Sequence, residues 1–172
     1  MKKSAGILVY KVENKVLKVL LCHPGGPYWK NKKIHSWSIP KGEVRLKEKV
    51  IDAAIREFKE ETNLEIKSNL KYLASKKVNN KKLVIVFYTE FNYNLDNCFS
   101  NKFSMEFPKG SGLFEEFFEM DDYQWFEMKE AYKLIFNNQI YFLNKLNESV
   151  EINNWFKLVI FVIIVKRWYI WK

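Results

Sequence analysis

The chain has 172 residues, the length of one domain able to bury its own core. Hydrophobic residues make up 48% and aromatic residues 17% of it, which excludes a disordered or low-complexity protein. The net charge of +9 permits an anionic partner without identifying one: Arg45, Arg56 and Arg167 are the only arginines, so lysine carries the excess, and arginine is the residue suited to bidentate phosphate contacts.

Residues 5–12 and 15–22 are predicted as two strands joined by a turn at Glu13-Asn14. His23-Pro24-Gly25-Gly26-Pro27 reads as loop, with Tyr28 and Trp29 following on it. A short strand is expected over residues 35–39, ending at Pro40, and Gly42 is expected to open another loop. A helix is predicted over residues 50–62. Strands are predicted over 70–78 and 82–91; in the second, Val84, Val86 and Tyr88 alternate with Leu83, Ile85 and Phe87, so both faces are expected to be buried. Residues 92–122 read as mostly loop, 123–126 as a strand, and 129–146 as helical with a break near Asn137-Asn138. Strands on both sides of a central helix, followed by terminal helices, predict an α/β fold with a mixed sheet sandwiched by helices.

This domain is expected to span residues 1–148, with a hydrophobic tail over 149–172. Residues 158–165 are eight consecutive apolar residues. A membrane span needs about 20, and Lys157, Lys166 and Arg167 bound the run, so it is read as a strand or buried element rather than a membrane contact. Cys22 and Cys98 stand apart, without metal-ligand spacing, which fits a reducing compartment. The first residues lead into a strand pattern rather than a secretory segment, and a cytoplasmic location is expected.

The chemistry is concentrated on the predicted helix. Glu57, Glu60 and Glu61 are spaced i, i+3 and i+4, which places three carboxylates on one face. Ile51, Ala54, Ile55 and Phe58 fall on a neighbouring face and are expected to pack on the sheet. Arg56 and Lys59 relieve part of the repulsion but are read as pointing elsewhere on the helix. A hard divalent cation such as magnesium, which takes carboxylate oxygens, water and phosphate, would neutralise the acids. A solvated acidic surface is the alternative, and the cluster alone leaves both open.

The spacing of the whole segment resembles the Nudix box: Gly, five residues, Glu, seven residues, Arg-Glu, an apolar residue, any residue, Glu-Glu, any residue, Gly, then an aliphatic residue. Gly42, Glu48, Arg56, Glu57, Phe58, Glu60, Glu61 and Leu64 stand in register with it. Asn63 departs from the pattern, standing where the family has Gly, and Asn is the next most tolerant residue of a left-handed helix end. Lys49 begins the helix where Ser or Asp would cap better.

The resemblance implies a Nudix α/β/α sandwich. It implies magnesium, or manganese as the alternative, held by Glu57, Glu60 and Glu61 with the Gly42 carbonyl as an additional ligand, and an ion pair between Glu48 and Arg56. Nudix enzymes often take a further base from a loop outside the box; Glu106, Glu115, Glu116 and Glu119 are the candidates, with Glu116 and Glu119 ranked first as catalytic residues beside the three helix acids. Residues 23–27, 37–43, Ser100-Asn101 and 103–112 are similar to a bacterial branch of predicted nucleoside-triphosphate pyrophosphohydrolases, over residues 3–148. Pro40-Lys41-Gly42 is similar to diadenosine polyphosphate hydrolases, which makes Lys41 a candidate phosphate contact. Tyr28, Trp29 and Trp37 are candidates to stack on a base, although a core role suits Trp37 better.

The expected function is a magnesium-dependent pyrophosphohydrolase acting on a nucleoside diphosphate linked to another group, such as a nucleoside triphosphate or dinucleoside polyphosphate. The nucleotide is the expected partner, with no obligatory nucleic acid. One alternative is hydrolysis of a 5′-triphosphate RNA end. Another is a non-catalytic nucleotide-binding module, against which every acid of the box is intact. A further one is membrane docking through Trp168, Tyr169 and Trp171 with Lys166 and Arg167.

Overall fold

The computed structural model describes residues 1–151, and the apolar run of the tail lies outside the described residues. Strand β1 (Lys2–Glu13) and strand β2 (Val16–Pro24) form an antiparallel hairpin in which Glu13 faces Val16. Asn14 and Lys15, with φ of 51° and 65°, make the turn. Two left-handed residues match the twist of the flanking strands. The turn thus sits one residue later than expected, and β2 runs on through His23 and Pro24, which were read as loop.

Strand β1 is the centre of a mixed sheet, with residues 71–79 (β4) and 82–90 (β5) on one side and β2 and residues 120–127 (β8) on the other, in the order β4-β5-β1-β2-β8. One edge of β1 pairs in parallel with β5 (Lys82–Glu90), which pairs in turn with β4 (Lys71–Asn79). The other edge is shared: β3 (Lys41–Glu43) takes Ser4 to Gly6, and β2 takes Tyr10 to Glu13. Gly42 therefore lies in a strand rather than opening a loop, because its backbone completes the β1 ladder. The stretch expected as a strand at 35–39 forms only single bridges, Ser38 to Cys22 and Trp37 to Ile135. Strand β8 (Met120–Glu127) closes the sheet against β2.

Alternation along β1 and β2 builds two cores. Ile7, Val9 and Leu20 face helix α1 (Val50–Thr62), which contributes Ala53, Ala54 and Phe58. Leu8, Tyr10, Val19 and Leu21 face the opposite side, covered by helix α2 (Met128–Leu134) and helix α3 (residues 140–151) through Ala131, Phe142, Leu143 and Leu146. The sheet is thus sandwiched by helices, as the pattern predicts, and a single 3₁₀ turn at Asn137–Gln139 makes the expected break. Val84, Val86 and Tyr88 of β5 are buried, while Leu83, Ile85 and Phe87 are half-buried. Among the described residues no helix is long and apolar enough to cross a membrane.

Two further readings need correction. Residues 92–122 are loop for the larger part, but they also hold a hairpin that was not expected: β6 (Lys102–Glu106) and β7 (Phe114–Phe118) pair as a two-stranded sheet beside the main one. Its aromatic rings pack on one another, Phe103 on Phe117 and Phe107 edge-on to Phe117, and these contacts across the hairpin leave no simple alternation in sequence. The core face of α1 is also rotated from the expected one. Ile51 and Ile55 are 38% and 39% exposed, whereas Ala53, Ala54 and Phe58 are fully buried. The small alanines let the helix lie close to the sheet.

Phe58→Ala should therefore cost about 3–5 kcal/mol, and Ile55→Ala about 1 kcal/mol or less, in urea unfolding of the two variants. Equal losses would restore the register expected from sequence.

Candidate active site

Helix α1 carries its acids at its C-terminal end, where it ends cleanly. Asn63 has φ of 58°, and its N–H donates to the Lys59 carbonyl at 2.8 Å. This is the left-handed cap that Gly usually supplies. At the other end Lys49 offers no side-chain cap.

Arg56 is the hub. Its Nε and Nη2 donate to the two Glu48 carboxylate oxygens at 2.8 and 3.0 Å, and Nη2 also to the Glu43 carbonyl at 3.0 Å. Its Nη1 donates to Glu57 at 2.6 Å and Glu60 at 2.9 Å. Arg56 thus turns toward the acids, contrary to the expectation that it points elsewhere. Lys59 does point away, pairing with Glu65 at 2.7 Å. Bonding to Arg56 and to the Arg45 N–H holds the Glu48 carboxyl at about 2.

Glu61 stands in a different environment. It is 7% exposed, and its Oε2 accepts the Lys41 N–H at 2.8 Å. Burial pushes its carboxyl up to about 8, although the Lys41 charge and N–H oppose the shift. Such a carboxyl needs a counter-charge to ionise. Gly42 is the cradle for Glu57: a Cβ there would run into the Glu57 carboxylate, so only glycine allows that approach. Its neighbour Lys41 extends from β3 to the other face of the sheet, lining a small cavity with Lys82, Val84 and Gln139. Burial lowers the pKa of Lys41.

Glu119 is brought to these acids by main-chain bonds that the sequence does not announce. The Asn101 N–H donates to the Glu60 carbonyl at 3.0 Å, the Glu119 N–H to the Asn101 carbonyl at 2.8 Å, and the Gly25 N–H to the Glu119 carbonyl at 2.9 Å. Ser100 is buried, and its Oγ accepts the Met120 N–H at 2.8 Å. The Tyr123 hydroxyl donates to the Glu61 carbonyl at 2.8 Å. Burial, then Glu57 and Glu60, raise the Glu119 pKa. Glu116 lies apart, exposed on β7 and 3.6 Å from Lys102. Glu106 instead accepts the Gly112 N–H within its own hairpin.

Among the described residues no three acidic, histidine or cysteine side chains already close a metal shell. The donor set nonetheless fits a hard cation: Glu57, Glu60, Glu61 and Glu119 offer oxygens only, and Arg56 already places a positive charge between Glu57 and Glu60.

Beyond the acids, a cavity of about 480 Å³ is lined by Trp37 and Phe126, by Lys30, Lys32 and Lys33, and by Gln124. Trp37 is buried, with its ring edge-on to Phe126 at 4.7 Å and to His23 at 5.4 Å. Tyr28 is exposed and stands edge-on to Phe107, and Trp29 packs on Phe136 beneath the Lys32 ammonium.

The sequence model described as NUDIX domain matches residues 2–146. The chain belongs to the Nudix family. Membership makes it a hydrolase of pyrophosphate bonds. Solved Nudix structures share the fold. A C. elegans Ap4A hydrolase in a binary complex is 23% identical with a TM-score of 0.62, over 88% of this chain and 98% of that one. The NUDIX domain of Shewanella oneidensis NrtR complexed with ADP ribose is 13% identical, TM-score 0.61, over 86% and 87%. A mutT/nudix family protein from Listeria innocua is 18% identical, TM-score 0.60, over 90% and 97%. No curated protein matches this Nudix chain in sequence.

The Glu48–Arg56 pair should set the acid limit of stability. A carboxyl held below its ordinary value of 4.5 stabilises the fold above that pH, and the contribution disappears as pH falls from 4.5 toward about 2. Thermal melts over this range should show the melting temperature of the wild type falling more steeply than that of Glu48→Gln. Parallel curves would show that the pair adds nothing.

Proposed function

We propose that this Nudix hydrolase cleaves a phosphoanhydride in a nucleoside diphosphate linked to another group, using magnesium, or manganese as the alternative. The observation that carries the reading is the convergence of Glu57, Glu60 and Glu61 on one end of α1 with Glu119, which the Asn101 main chain ties to Glu60. Glu57, Glu60 and Glu61 would hold the cation, with the Gly42 carbonyl as an additional ligand. When bound, it polarises a phosphate oxygen and lowers the pKa of a coordinated water. Glu119 is the residue placed to accept the proton of the attacking water, and Glu116 is dropped from the catalytic set because it faces Lys102.

Arg56 keeps Glu57 and Glu60 aligned and does not touch substrate. Lys30, Lys32 and Lys33 meet the charge of the phosphates, and Trp37 and Phe126 supply the apolar wall for a base. Two neighbours support this class. One is an Ap4A hydrolase and another was solved with ADP ribose, and both Ap4A and ADP ribose are nucleoside diphosphates joined to a further group.

The test is turnover with magnesium of nucleoside triphosphates, dinucleoside polyphosphates, ADP-ribose and a 5′-triphosphate RNA. Glu57→Gln and Glu61→Gln should each lose about a hundredfold, equivalent to about 2.7 kcal/mol of transition-state stabilisation. Glu65→Gln, which breaks only an exposed pair with Lys59, is the control and should change turnover little. If all three variants keep wild-type turnover, the helix acids serve the fold rather than the reaction and the metal reading falls.

A further inference from the structure

A second cavity, of about 640 Å³, lies between the loop after β2 and the β6–β7 hairpin. Its apolar lining is Phe107, Phe117 and Phe118, and Gly26 and Pro27 form the facing wall. The wall is held close: the Gly25 N–H bonds the Glu119 carbonyl, and a Cβ on Gly25 would collide with the Phe118 carbonyl. The cavity therefore begins at the residue that precedes Glu119. Its volume falls within the range of small-molecule sites.

Lys30 and Asp121 line both this cavity and the one walled by Trp37 and Phe126. Asp121 is engaged, 2.7 Å from the His23 imidazole. The Lys30 ammonium makes no hydrogen bond or ion pair among the described residues. The lining thus has two aromatic compartments and, where they meet, one cation with no anion of its own. A ligand that satisfies both features has a planar ring at each end and negative charge between them.

We propose that the hairpin cavity binds the second base of the substrate, so that this chain acts on dinucleoside polyphosphates in preference to mononucleotides, with Lys30 against the phosphate chain. The proposal rests on the hydrolase reading above and adds to it the far end of the substrate. The aromatic faces of Phe107 and Phe117 stack on the base, as aromatic side chains do on any nucleobase. Lys102, Glu115 and Glu116, which also line the cavity, meet its polar edge.

The experiment is calorimetric titration of the full chain in EDTA, where no turnover occurs, with diadenosine tetraphosphate, ATP and ADP-ribose. Stacking of one further base predicts at least about tenfold tighter binding of diadenosine tetraphosphate than of either other ligand, tenfold being 1.4 kcal/mol. Phe107→Ala should bring that ratio down to about threefold or less. Phe107→Leu, which keeps the bulk and loses the ring, tests the same point if the alanine variant does not fold. Phe114→Ala, on the same hairpin but outside the cavity, should leave the ratio unchanged. A wild-type ratio near one, or a ratio that survives loss of the Phe107 ring, overturns the assignment. Magnesium-dependent turnover is read separately. Its absence with the binding ratio intact removes the hydrolase reading and leaves the two-compartment site standing, and turnover with a ratio near one does the reverse.

Discussion

Arg56 reaches five oxygen atoms on four residues, and only 19% of its side chain is exposed. Glu57 and Glu60 repel one another across less than a helical turn, and nothing in helix geometry alone would aim both at one point. The guanidinium fork does so because its donors are fixed in a plane and always charged. Through Glu48 and the Glu43 carbonyl the same group fixes the chain between β3 and α1. Gly42 is held over Glu57 as a consequence. Cradle, acids and loop therefore share one tether, and a lysine, with a single point charge, could not reproduce it.

The C-terminal end of α1 is held by different physics. The carbonyls of Glu60 and Glu61 are among those left without helical partners, and they are taken by the Asn101 N–H and the Tyr123 hydroxyl. Neutral bonds at this end impose distance without adding charge to a site already crowded with carboxylates. They also determine which loop acid joins the helix. Glu119 is carried in because its own N–H continues the chain of bonds through Asn101, while Glu116, three residues earlier, sits on the hairpin against Lys102.

Legibility in the sequence followed the range of the interactions. Helix α1 was readable to its end residues, since its spacing, its Asn63 cap and its missing Lys49 cap are all local. The strands of the main sheet were readable to within a residue or two, because alternation records burial. The α1 core face was misjudged at Ile51 and Ile55, where hydrophobicity argued for burial and the closeness of approach favoured Ala53 and Ala54 instead. The β6–β7 hairpin was missed because its strands are stabilised by Phe103, Phe107 and Phe117 meeting across the hairpin. Glu119 could be ranked level with Glu116 but not above it, since the bonds that separate them are made by main chain, on which side-chain identity leaves no mark.

The same division separates chemistry from specificity. The groups proposed to hold the metal come from β3 and α1, within 20 residues of one another, and their spacing defines the family. Both cavities are built instead from distant parts: the loop after β2 supplies Lys30, the hairpin supplies Phe107 and Phe117, and β8 supplies Phe126. Among the described residues, only the Gly25–Glu119 hydrogen bond joins the loop to the acids directly. Changes in the hairpin can therefore reshape what is bound while Arg56 keeps the acids in place. A family signature in α1 accordingly reports the bond that is cut, and the hairpin beside it reports what lies at the other end of the substrate.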